Sequence, residues 1–435
     1  MSDTTNPPTP DGVPFLGNGM EFSQNPFEAI EQWARLGDIV LLTFPGRSMY
    51  LVTGSDLINQ VLVERSDQFT IGHEQRIAFR GVEDNALTAN TGKRWRRLRH
   101  ALHPAFTWET IASFGRQMAK QTEEHIQKLD EETVDLHREM RLVTLRILGK
   151  TLLGTDVGGN QDLIMDAADA LIERADPRRF GQLLPSWVPT PTERRFERRV
   201  ARLDDYVEDV LNKQPAGEND VRSVLLAAHD DGKLTMSEVK DNLVGLLLAG
   251  HDSSAVTLTY AWYELSRHPE IRNALVNEVD EIVGDGLPDV SDFESLKRVR
   301  HVVKETLRLY PPIWSVNRQA VEPVTLGDYE IPEDAQLMIP QWVLHRDNRF
   351  WKNPETFDPS RWEGPNTRPE YAYFPFSGGP RHCIGMRFAR LELTMALATM
   401  VRRVSLEVST DGPLAFQPSL TLRPTVEIKA TVTQR

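Results

Sequence analysis

The stretch Phe374–Ala389, FPFSGGPRHCIGMRFA, contains the only cysteine of the chain, Cys383. A lone thiol excludes an intrachain disulfide and any zinc or iron–sulfur site built from several cysteines. Most single cysteines are small buried hydrophobic residues. The neighbours of Cys383 indicate another role, because Gly378, Gly379 and Gly385 allow close backbone approach and a helix is predicted directly afterwards. Free N–H groups and the positive end of that helix favour a thiolate, so we expect a nucleophile or a metal ligand.

The composition of the 435 residues is that of a folded globular protein. Hydrophobic residues make up 40% and charged residues 26%, which is enough apolar material for a large core. The formal net charge of −13 argues against non-specific binding to nucleic acid, which needs an excess of Lys and Arg. No apolar run approaches the roughly 20 residues of a membrane helix, and the N-terminus lacks a basic and apolar leader. The sequence therefore predicts a cytoplasmic protein without a membrane anchor.

The longest predicted element is one helix over residues 236–267. Thr235 followed by Glu238 is typical of a capping box, and no proline interrupts the segment before Pro269. Within the helix, Ala249–Ser254 (AGHDSS) is locally unfavourable, because glycine in a helix interior costs about 1 kcal/mol and Asp and Ser compete for backbone hydrogen bonds. A defect of this kind favours a functional explanation.

Apolar residues at three- and four-residue spacing predict further helices, and short β-type runs predict strands. The predicted helices cover residues 108–130, 136–153, 161–174, 192–212, 296–309 and 385–402, and the predicted strands form a hairpin over 38–53 and short runs at 324–331, 336–341, 404–408 and 425–431. The fold class is therefore mainly α with small β-sheets. We expect residues 1–20 to form an N-terminal surface arm and residues 21–435 to form a single domain.

Five positions of the cysteine loop, Phe376, Gly379, Arg381, Cys383 and Gly385, resemble the haem-binding loop of the cytochrome P450 monooxygenases. The resemblance implies that Cys383 is the axial thiolate ligand of haem iron, where it donates electron density that favours cleavage of the O–O bond. It also implies the cytochrome P450 fold, a triangular helical domain that holds haem b between the long central helix and the cysteine loop.

A second motif extends the resemblance toward the N-terminus. Glu305-Thr-Leu-Arg308 alone is often only an ion pair on a helix surface. Followed by Arg361 within Pro354–Trp362, it resembles the buried charge network that supports the haem loop in this family. The implied role is structural, because loss of one member would leave a buried charge unpaired.

The segment Ala249–Ser254 resembles the groove that faces the haem in this family. By resemblance, Ala249 and Gly250 contact the haem, and Asp252 and Ser253 form the acid–alcohol pair that delivers protons. The family usually has threonine where this chain has Ser253. Serine keeps the hydroxyl group but lacks the methyl group that restricts the rotamer of threonine.

Basic residues would hold the haem propionates in the same family. Arginine suits this role because its planar fork pairs with carboxylates. The run Lys93–His100 by itself more often indicates a solvated helix face than a binding site. By resemblance, the residues that orient the porphyrin are Trp95, Arg99, Arg318, Arg381 and His382.

The implied reaction inserts one oxygen atom of O2 into a lipophilic small molecule such as a fatty acid, a terpene or a steroid-like compound. The chain has no Gly-x-Gly-x-x-Gly nucleotide motif and no iron–sulfur cysteines. A separate ferredoxin- or flavodoxin-like donor, with its reductase, must therefore supply the electrons. A hydrogen-peroxide-dependent peroxygenase and a non-catalytic haem-based sensor are the alternatives, and the chain is expected to be a monomer.

The cluster Lys93, Arg94, Arg96 and Arg97 contrasts with the acidity of the whole chain. On the early helix, which lies on the cysteine side of the haem in this family, it is either a solvated face or a docking site for an acidic electron donor.

Substrate identity is expected to depend on residues 70–91, which should cover the substrate but show no readable specificity. Arg47 and Tyr50, on the first hairpin, could meet a fatty carboxylate at the mouth of an access channel. An exposed pair of strand residues explains them at least as well.

Overall fold

The computed structural model describes residues 6–129, 133–176, 190–213 and 220–435. These ranges are mostly helical. The α-helices are α1 (Gly19–Gln24), α2 (Pro26–Ala34), α3 (Ser55–Asn59), α4 (His73–Phe79), α5 (Gly92–Leu102), α6 (Trp108–Ala112), α7 (Gly115–Ile126), α8 (Leu136–Thr151), α9 (Gln161–Arg174), α10 (Pro191–Leu211), α11 (Val221–Asp230), α12 (Met236–Arg267), α13 (Pro269–Val283), α14 (Lys297–Leu309), α15 (Gln341–Leu344) and α16 (Met386–Arg403).

The strands form small sheets beside the helices. They are β1 (Ile39–Phe44), β2 (Arg47–Val52), β3 (Phe69–Ile71), β4 (Thr133–Asp135), β5 (Val316–Ala320), β6 (Val324–Leu326), β7 (Tyr329–Ile331), β8 (Gln336–Ile339), β9 (Val404–Thr410), β10 (Phe416–Pro418), β11 (Leu422–Pro424) and β12 (Ile428–Gln434). One sheet has the order β1-β2-β8-β5-β3, in which only the β2–β8 pair is parallel. A second has the order β4-β12-β9, and β6-β7 and β10-β11 are two-stranded.

The long helix α12 runs through the centre of the molecule and follows its sequence prediction closely. The backbone N–H of Glu238 donates to the Thr235 hydroxyl at 3.2 Å, and the backbone N–H of Thr235 donates to the Glu238 carboxylate at 3.0 Å. This reciprocal capping box satisfies two N–H groups at the start of the helix. Helices α8, α10, α11, α14 and α16 pack around α12. Because neighbours surround it, Tyr260 and Trp262 are fully buried.

One helix that the sequence predicts as continuous is interrupted in the structure. The segment 108–130 contains two helices, α6 and α7, separated by a turn at Ser113 and Phe114. The apolar periodicity continues across the turn because Phe114 is itself buried. At the next residue the backbone of Gly115 lies against Val290, where an added Cβ would come within 3.1 Å of a backbone nitrogen. The turn therefore allows the close approach of Gly115 to Val290, which the apolar periodicity of the sequence does not indicate.

The first described residues are attached to the large sheet. Leu41 donates its N–H to the carbonyl of Pro8 at 2.9 Å, and Thr43 donates its N–H to the Asn18 side chain at 2.9 Å. Asn18 is buried, whereas Phe15 is almost completely exposed. From α2 onward, one connected cluster of buried apolar residues extends from Phe27 to Val432. Within the described ranges, no helix is both long and apolar enough to cross a membrane.

Candidate active site

The loop before α16 holds Cys383 in a fixed backbone frame. The N–H of Cys383 donates to the carbonyl of Phe376 at 2.9 Å, and a 3-10 turn spans Gly379–Arg381. Gly379 has a φ of 65°, and a Cβ added there would meet the carbonyl oxygen of Leu62 at 1.7 Å. A side chain at position 379 would therefore displace the loop from the segment that supports it.

Cys383 is accessible to solvent, although protein closely surrounds its thiol. Burial raises the pKa of the thiol above its usual range, while the backbone N–H of Gly385 and the charge of Arg99 act in the opposite direction. The N–H group and the cation therefore favour the thiolate, whereas desolvation favours the neutral thiol. Metal coordination would supply the missing stabilisation, since a coordinating thiol is deprotonated.

Helix α12 supplies the groove that the sequence predicts. Ala249 is exposed in the middle of a helix whose neighbouring positions are buried, and Leu246, Gly250 and Ser253 are half-buried. These four residues recur at three- and four-residue spacing and so share one helix face. This face of α12 is therefore accessible to solvent. The accessible Cys383 thiol and this accessible stripe of a central helix are the features expected of two walls around a flat cofactor.

Three arginines near the cysteine have no carboxylate partner among the described residues. Arg318 is buried and donates to the backbone carbonyl of Asn317 at 2.9 Å. Arg381 donates to the carbonyl of Asn90 at 3.3 and 3.2 Å, and Arg99 donates to the carbonyl of His382 at 3.0 Å. Burial lowers the pKa of Arg318 to about 10, and repulsion from Arg381 adds to the effect.

Buried cations that repel one another require an anionic partner. The two propionates of haem would provide it, and Cys383 would provide a thiolate to the iron. The residues present therefore fit a haem group. Trp95 supports this arrangement because its ring lies 4.5 Å from the guanidinium carbon of Arg381. His382 contacts Arg99 and the backbone of its own loop. Its Nε2 lies 3.0 Å from the Arg99 guanidinium, and its Nδ1 lies 2.8 Å from the carbonyl of Gly379.

The structure brings Glu305, Arg308 and Arg361 together. Arg308 donates to Glu305 at 3.0 and 2.8 Å, and Arg361 donates to Glu305 at 2.8 Å. Glu305 and Arg308 are completely buried. Trp362, which ends the motif Pro354–Trp362 but was assigned no role in this network, also donates its indole N–H to Glu305 at 2.9 Å. The carboxylate thus has enough donors to offset its desolvation.

A chain of contacts connects this charge network to the cysteine loop. Arg308 donates to the backbone carbonyl of His345 at 2.7 Å. The Nε2 of His345 accepts the backbone N–H of Phe374 at 3.0 Å, nine residues before Cys383. His345 is buried, and burial lowers its pKa to about 3, so the ring stays neutral and able to accept.

Asp252 is buried within a cluster of four charges. Its carboxylate accepts from Arg423 Nε at 2.8 Å and from the Thr421 hydroxyl, and Arg141 lies 3.9 Å away. Arg423 and Arg141 also share Asp169, at 2.6 and 2.7 Å. These arginines hold the pKa of Asp252 far below its usual range, against a large desolvation effect. Asp252 is therefore ionised, and it points to Arg423 on β11.

The two serines of the groove have different partners. The hydroxyl of Ser253 donates to the carbonyl of Ala249 at 2.8 Å, one turn earlier in α12. The hydroxyl of Ser254 donates to Glu392, a buried acid on α16 whose pKa burial raises to about 8. No hydrogen bond between described side chains joins Asp252 to Ser253. Arg423 and Glu392 were missed from the sequence because neither belongs to a local motif.

The remaining predicted residues do not form one site, and Arg47 and Tyr50 are not an exposed pair, because Tyr50 is buried. Arg47 and Tyr50 are three residues apart in β2. Their side chains therefore point to opposite faces of the strand and do not bind one ligand together. On α5, Arg94 and Arg97 form ion pairs with Glu238, the capping residue of α12. Only Lys93 and Arg96 of the predicted docking cluster are exposed without an ion pair to a described residue.

Comparison with known proteins agrees with this geometry. The family description "Cytochrome P450" matches residues 7–432. Cyclooctatin synthase of Streptomyces melanosporofaciens is 31% identical over 95% of this chain and 92% of its own. Cyclooctat-9-en-7-ol 5-monooxygenase of the same organism is 30% identical over 91% of this chain and 88% of its own. Pentalenene oxygenase of Streptomyces avermitilis is 28% identical over 93% of this chain and 92% of its own. The chain therefore belongs to the cytochrome P450 family and is a cytochrome P450 monooxygenase.

Proposed function

We propose that this protein hydroxylates a terpenoid, using haem b as its cofactor and O2 as the oxygen source. The observation that carries the haem site is the set of three arginines without carboxylate partners around an enclosed thiol. The terpenoid class is supported by the terpene-oxidising relatives at about 30% identity. The names of two relatives specify an alkene, pentalenene, and an unsaturated alcohol, cyclooctat-9-en-7-ol. Both kinds of molecule are candidate substrates of this protein.

The haem, when bound, would supply oxygen activation and electron transfer at its iron. Cys383 would hold the iron from one side, and Arg99, Arg318 and Arg381 would pair with the propionates. The exposed methyl group of Ala249 leaves room for a flat ring system beside α12. The protein groups therefore bind and orient the haem, while the cavity beside α12 holds the substrate away from bulk water.

We propose that Ser253 and Asp252 deliver protons to this cavity. Ser253 donates its hydroxyl hydrogen to Ala249, which leaves its oxygen free to accept a hydrogen bond from the cavity side. Asp252 is ionised, so it stabilises positive charge on a proton path but holds no proton itself. Water would have to join the two side chains, because no direct hydrogen bond between them is present among the described contacts.

Electrons would come from a separate acidic protein of the ferredoxin or flavodoxin type, with its reductase. We propose that it docks on the outer face of α5, where Lys93 and Arg96 are exposed. We propose that a cytoplasmic nicotinamide cofactor reduces this donor, so that the proposed location of the reaction is the cytoplasm.

The assignment of Cys383 is tested by replacing it with serine. The reduced carbon-monoxide complex of the wild type should show the strongly red-shifted band of a thiolate ligand, because sulfur donation changes the electronic state of the haem. Cys383→Ser should lose that band. A variant that retained it would refute the ligand and, with it, the proposed site.

The substrate class is tested with the purified holoenzyme, NADPH and a generic ferredoxin and ferredoxin reductase. Terpene hydrocarbons, terpene alcohols, fatty acids and steroids are compared for binding, NADPH consumption and product. We expect hydroxylated products from terpenoids and none from fatty acids of similar size. Turnover confined to fatty acids or steroids would refute the proposal.

A further inference from the structure

Glu83 is a buried carboxyl group that no motif indicates. It lies between α4 and α5, in the segment predicted to cover the substrate, and only 1% of its surface is exposed. It packs on α12 at Gly245, where an added Cβ would lie 2.8 Å from the carboxyl carbon of Glu83. The absence of a side chain at Gly245 thus makes room for the acid. The carboxyl group of Glu83 therefore occupies the space that a side chain at position 245 would fill.

The hydrogen bonding of Glu83 is incomplete. The Thr88 hydroxyl donates to Oε2, whereas Oε1 is buried and has no partner among the described residues. None of the described cations forms an ion pair with the carboxyl group, and the neighbouring charged group is Asp241. A buried polar atom without a partner is unfavourable, and native proteins usually satisfy it with water or a ligand.

The protonation of Glu83 supports a hydrogen-bonding role. Burial raises its pKa to about 7 and Asp241 adds to the effect, while the Thr88 hydrogen bond opposes it. A substantial fraction is therefore neutral at neutral pH. A neutral carboxyl group can both donate and accept a hydrogen bond, as a hydroxyl group does.

Glu83 packs on α12 one helical turn before the solvent-accessible face of that helix. Gly245 precedes the exposed Ala249 by four residues, which is one helical turn or about 6 Å along α12. The segment is fixed there by two contacts: Asn85 donates to Asp241 at 2.9 Å, and the N–H of Leu87 donates to Asn242 at 2.9 Å. These contacts hold the segment without using Oε1.

We propose that Glu83 binds a hydroxyl group of the substrate, so that the preferred substrate is a terpenoid alcohol rather than a terpene hydrocarbon. The inference rests on the proposed function, because it selects one substrate type within the terpenoid class. A substrate that already carries a hydroxyl group must come from an earlier oxygenation or from hydrolysis of a terpenyl ester or diphosphate. This enzyme then adds oxygen at a second position of the same skeleton.

The test measures binding to the holoenzyme by the shift of the haem absorbance. Three matched pairs serve as probes: limonene and perillyl alcohol, farnesene and farnesol, and cedrene and cedrol. In the wild type, we expect the alcohol of at least one pair to bind tenfold or more tightly than its hydrocarbon. Glu83→Leu should abolish that preference and leave the hydrocarbon affinity within about twofold. Glu83→Gln, which can still donate and accept hydrogen bonds, should retain most of it.

Two further variants separate this role from general damage. Gly245→Ala should displace Glu83 and weaken alcohol binding as Glu83→Leu does. Glu109→Gln, the same chemical change as Glu83→Gln at an exposed position on α6, should change nothing. The preference of the wild type needs no substitution, so it tests the inference even where a variant does not fold.

Each result decides between the two proposals. Equal wild-type affinity for alcohol and hydrocarbon, or an unchanged preference in a folded Glu83→Leu variant, overturns the role of Glu83 while hydrocarbon oxidation still supports the proposed function. Absence of binding and turnover with every pair refutes the terpenoid substrate itself, and the role of Glu83 falls with it.

Discussion

Asp252 keeps its charge because two arginines compensate for its removal from water. Arg423 contacts the carboxylate directly, and Arg141 lies 3.9 Å away. The position between Gly250 and Ser253 in the sequence suggests a group that holds a proton, whereas the surroundings make it a permanent anion. Its contribution to proton delivery must therefore be electrostatic or depend on a change of partner.

The proton path is tested by substitutions at Ser253. Ser253→Ala removes the hydroxyl group and should lower the product formed per NADPH consumed, with more peroxide released. Ser253→Thr restores the hydroxyl group with a restricted rotamer and should couple at least as well as the wild type. Asp252→Asn should also uncouple the reaction. Unchanged coupling in Ser253→Ala and Asp252→Asn would mean that these residues only shape the groove.

The ion cluster is tested by removing Arg423. Arg423→Leu leaves the buried Asp252 and the partly exposed Asp169 to share Arg141, and it should reduce the free energy of unfolding by about 3–5 kcal/mol. Adding Asp252→Asn should recover part of that loss, since it removes the uncompensated charge. Urea unfolding of the wild type, both single variants and the double variant measures the coupling. Additive losses would contradict a direct Asp252–Arg423 interaction.

At the scale of elements, α5 has two groups of basic residues with different partners. Arg94 and Arg97 hold α5 against the start of α12 through Glu238, whose pKa these arginines lower to about 2. Lys93 and Arg96 have no such ion pair among the described residues. The sequence presents all four as one cluster. Only the structure separates the residues that support the fold from those available to a partner.

Charge reversal in these two groups should give different results. Lys93→Glu with Arg96→Glu should slow reduction of the haem by an acidic donor at low salt and leave stability nearly unchanged. Arg97→Glu should lower the melting temperature, because it opposes the buried Glu238. The rate in the wild type should fall with salt, as the Debye length shortens from about 10 Å at 0.1 M to about 3 Å at 1 M. A reduction rate insensitive to both salt and the first pair of substitutions would exclude docking on this face.

Local sequence patterns predicted the helices and strands well, but they did not predict contacts between residues that are far apart in the sequence. The capping box at Thr235 and the cysteine loop are contiguous patterns, so the sequence is sufficient to predict them. Arg423 is 171 residues away from Asp252, and nothing near either residue indicates the other. The same holds for Glu83 and Gly245, because a cavity left by a missing side chain has no sequence pattern of its own.

At the scale of the whole molecule, buried groups with shifted pKa values limit stability at both ends of the pH range. Glu392 has a folded pKa of about 8, against about 4.5 when exposed. Between these values the folded state holds a proton that the unfolded state has lost, so stability falls as pH rises. The buried rings of His137 and His251 have folded pKa values of about 3 and 4, against about 6.5 when exposed. Below pH 6.5 the unfolded state takes up protons first, so stability falls as pH decreases.

This balance predicts a stability maximum near pH 6 to 7. Glu392→Gln should remove its part of the alkaline loss, which is roughly 1.4 kcal/mol per pH unit between the two pKa values. Chemical unfolding at pH 6, 7, 8 and 9 measures the slope for wild type and variant, with Glu109→Gln as the control. An equal slope in wild type and Glu392→Gln would show that Glu392 does not titrate in this range.

The contact between Asp252 and Arg423 also imposes an order on the synthesis of the protein. A ribosome adds about 5–20 residues per second, so Asp252 is made roughly 10–35 s before Arg423 exists. Strand β12, which completes a sheet with β4 and β9, is made later still. During this interval the nascent chain carries an acidic side chain at its future centre without its main counter-ion. The central helix therefore reaches its final environment only after the ribosome has added Arg423.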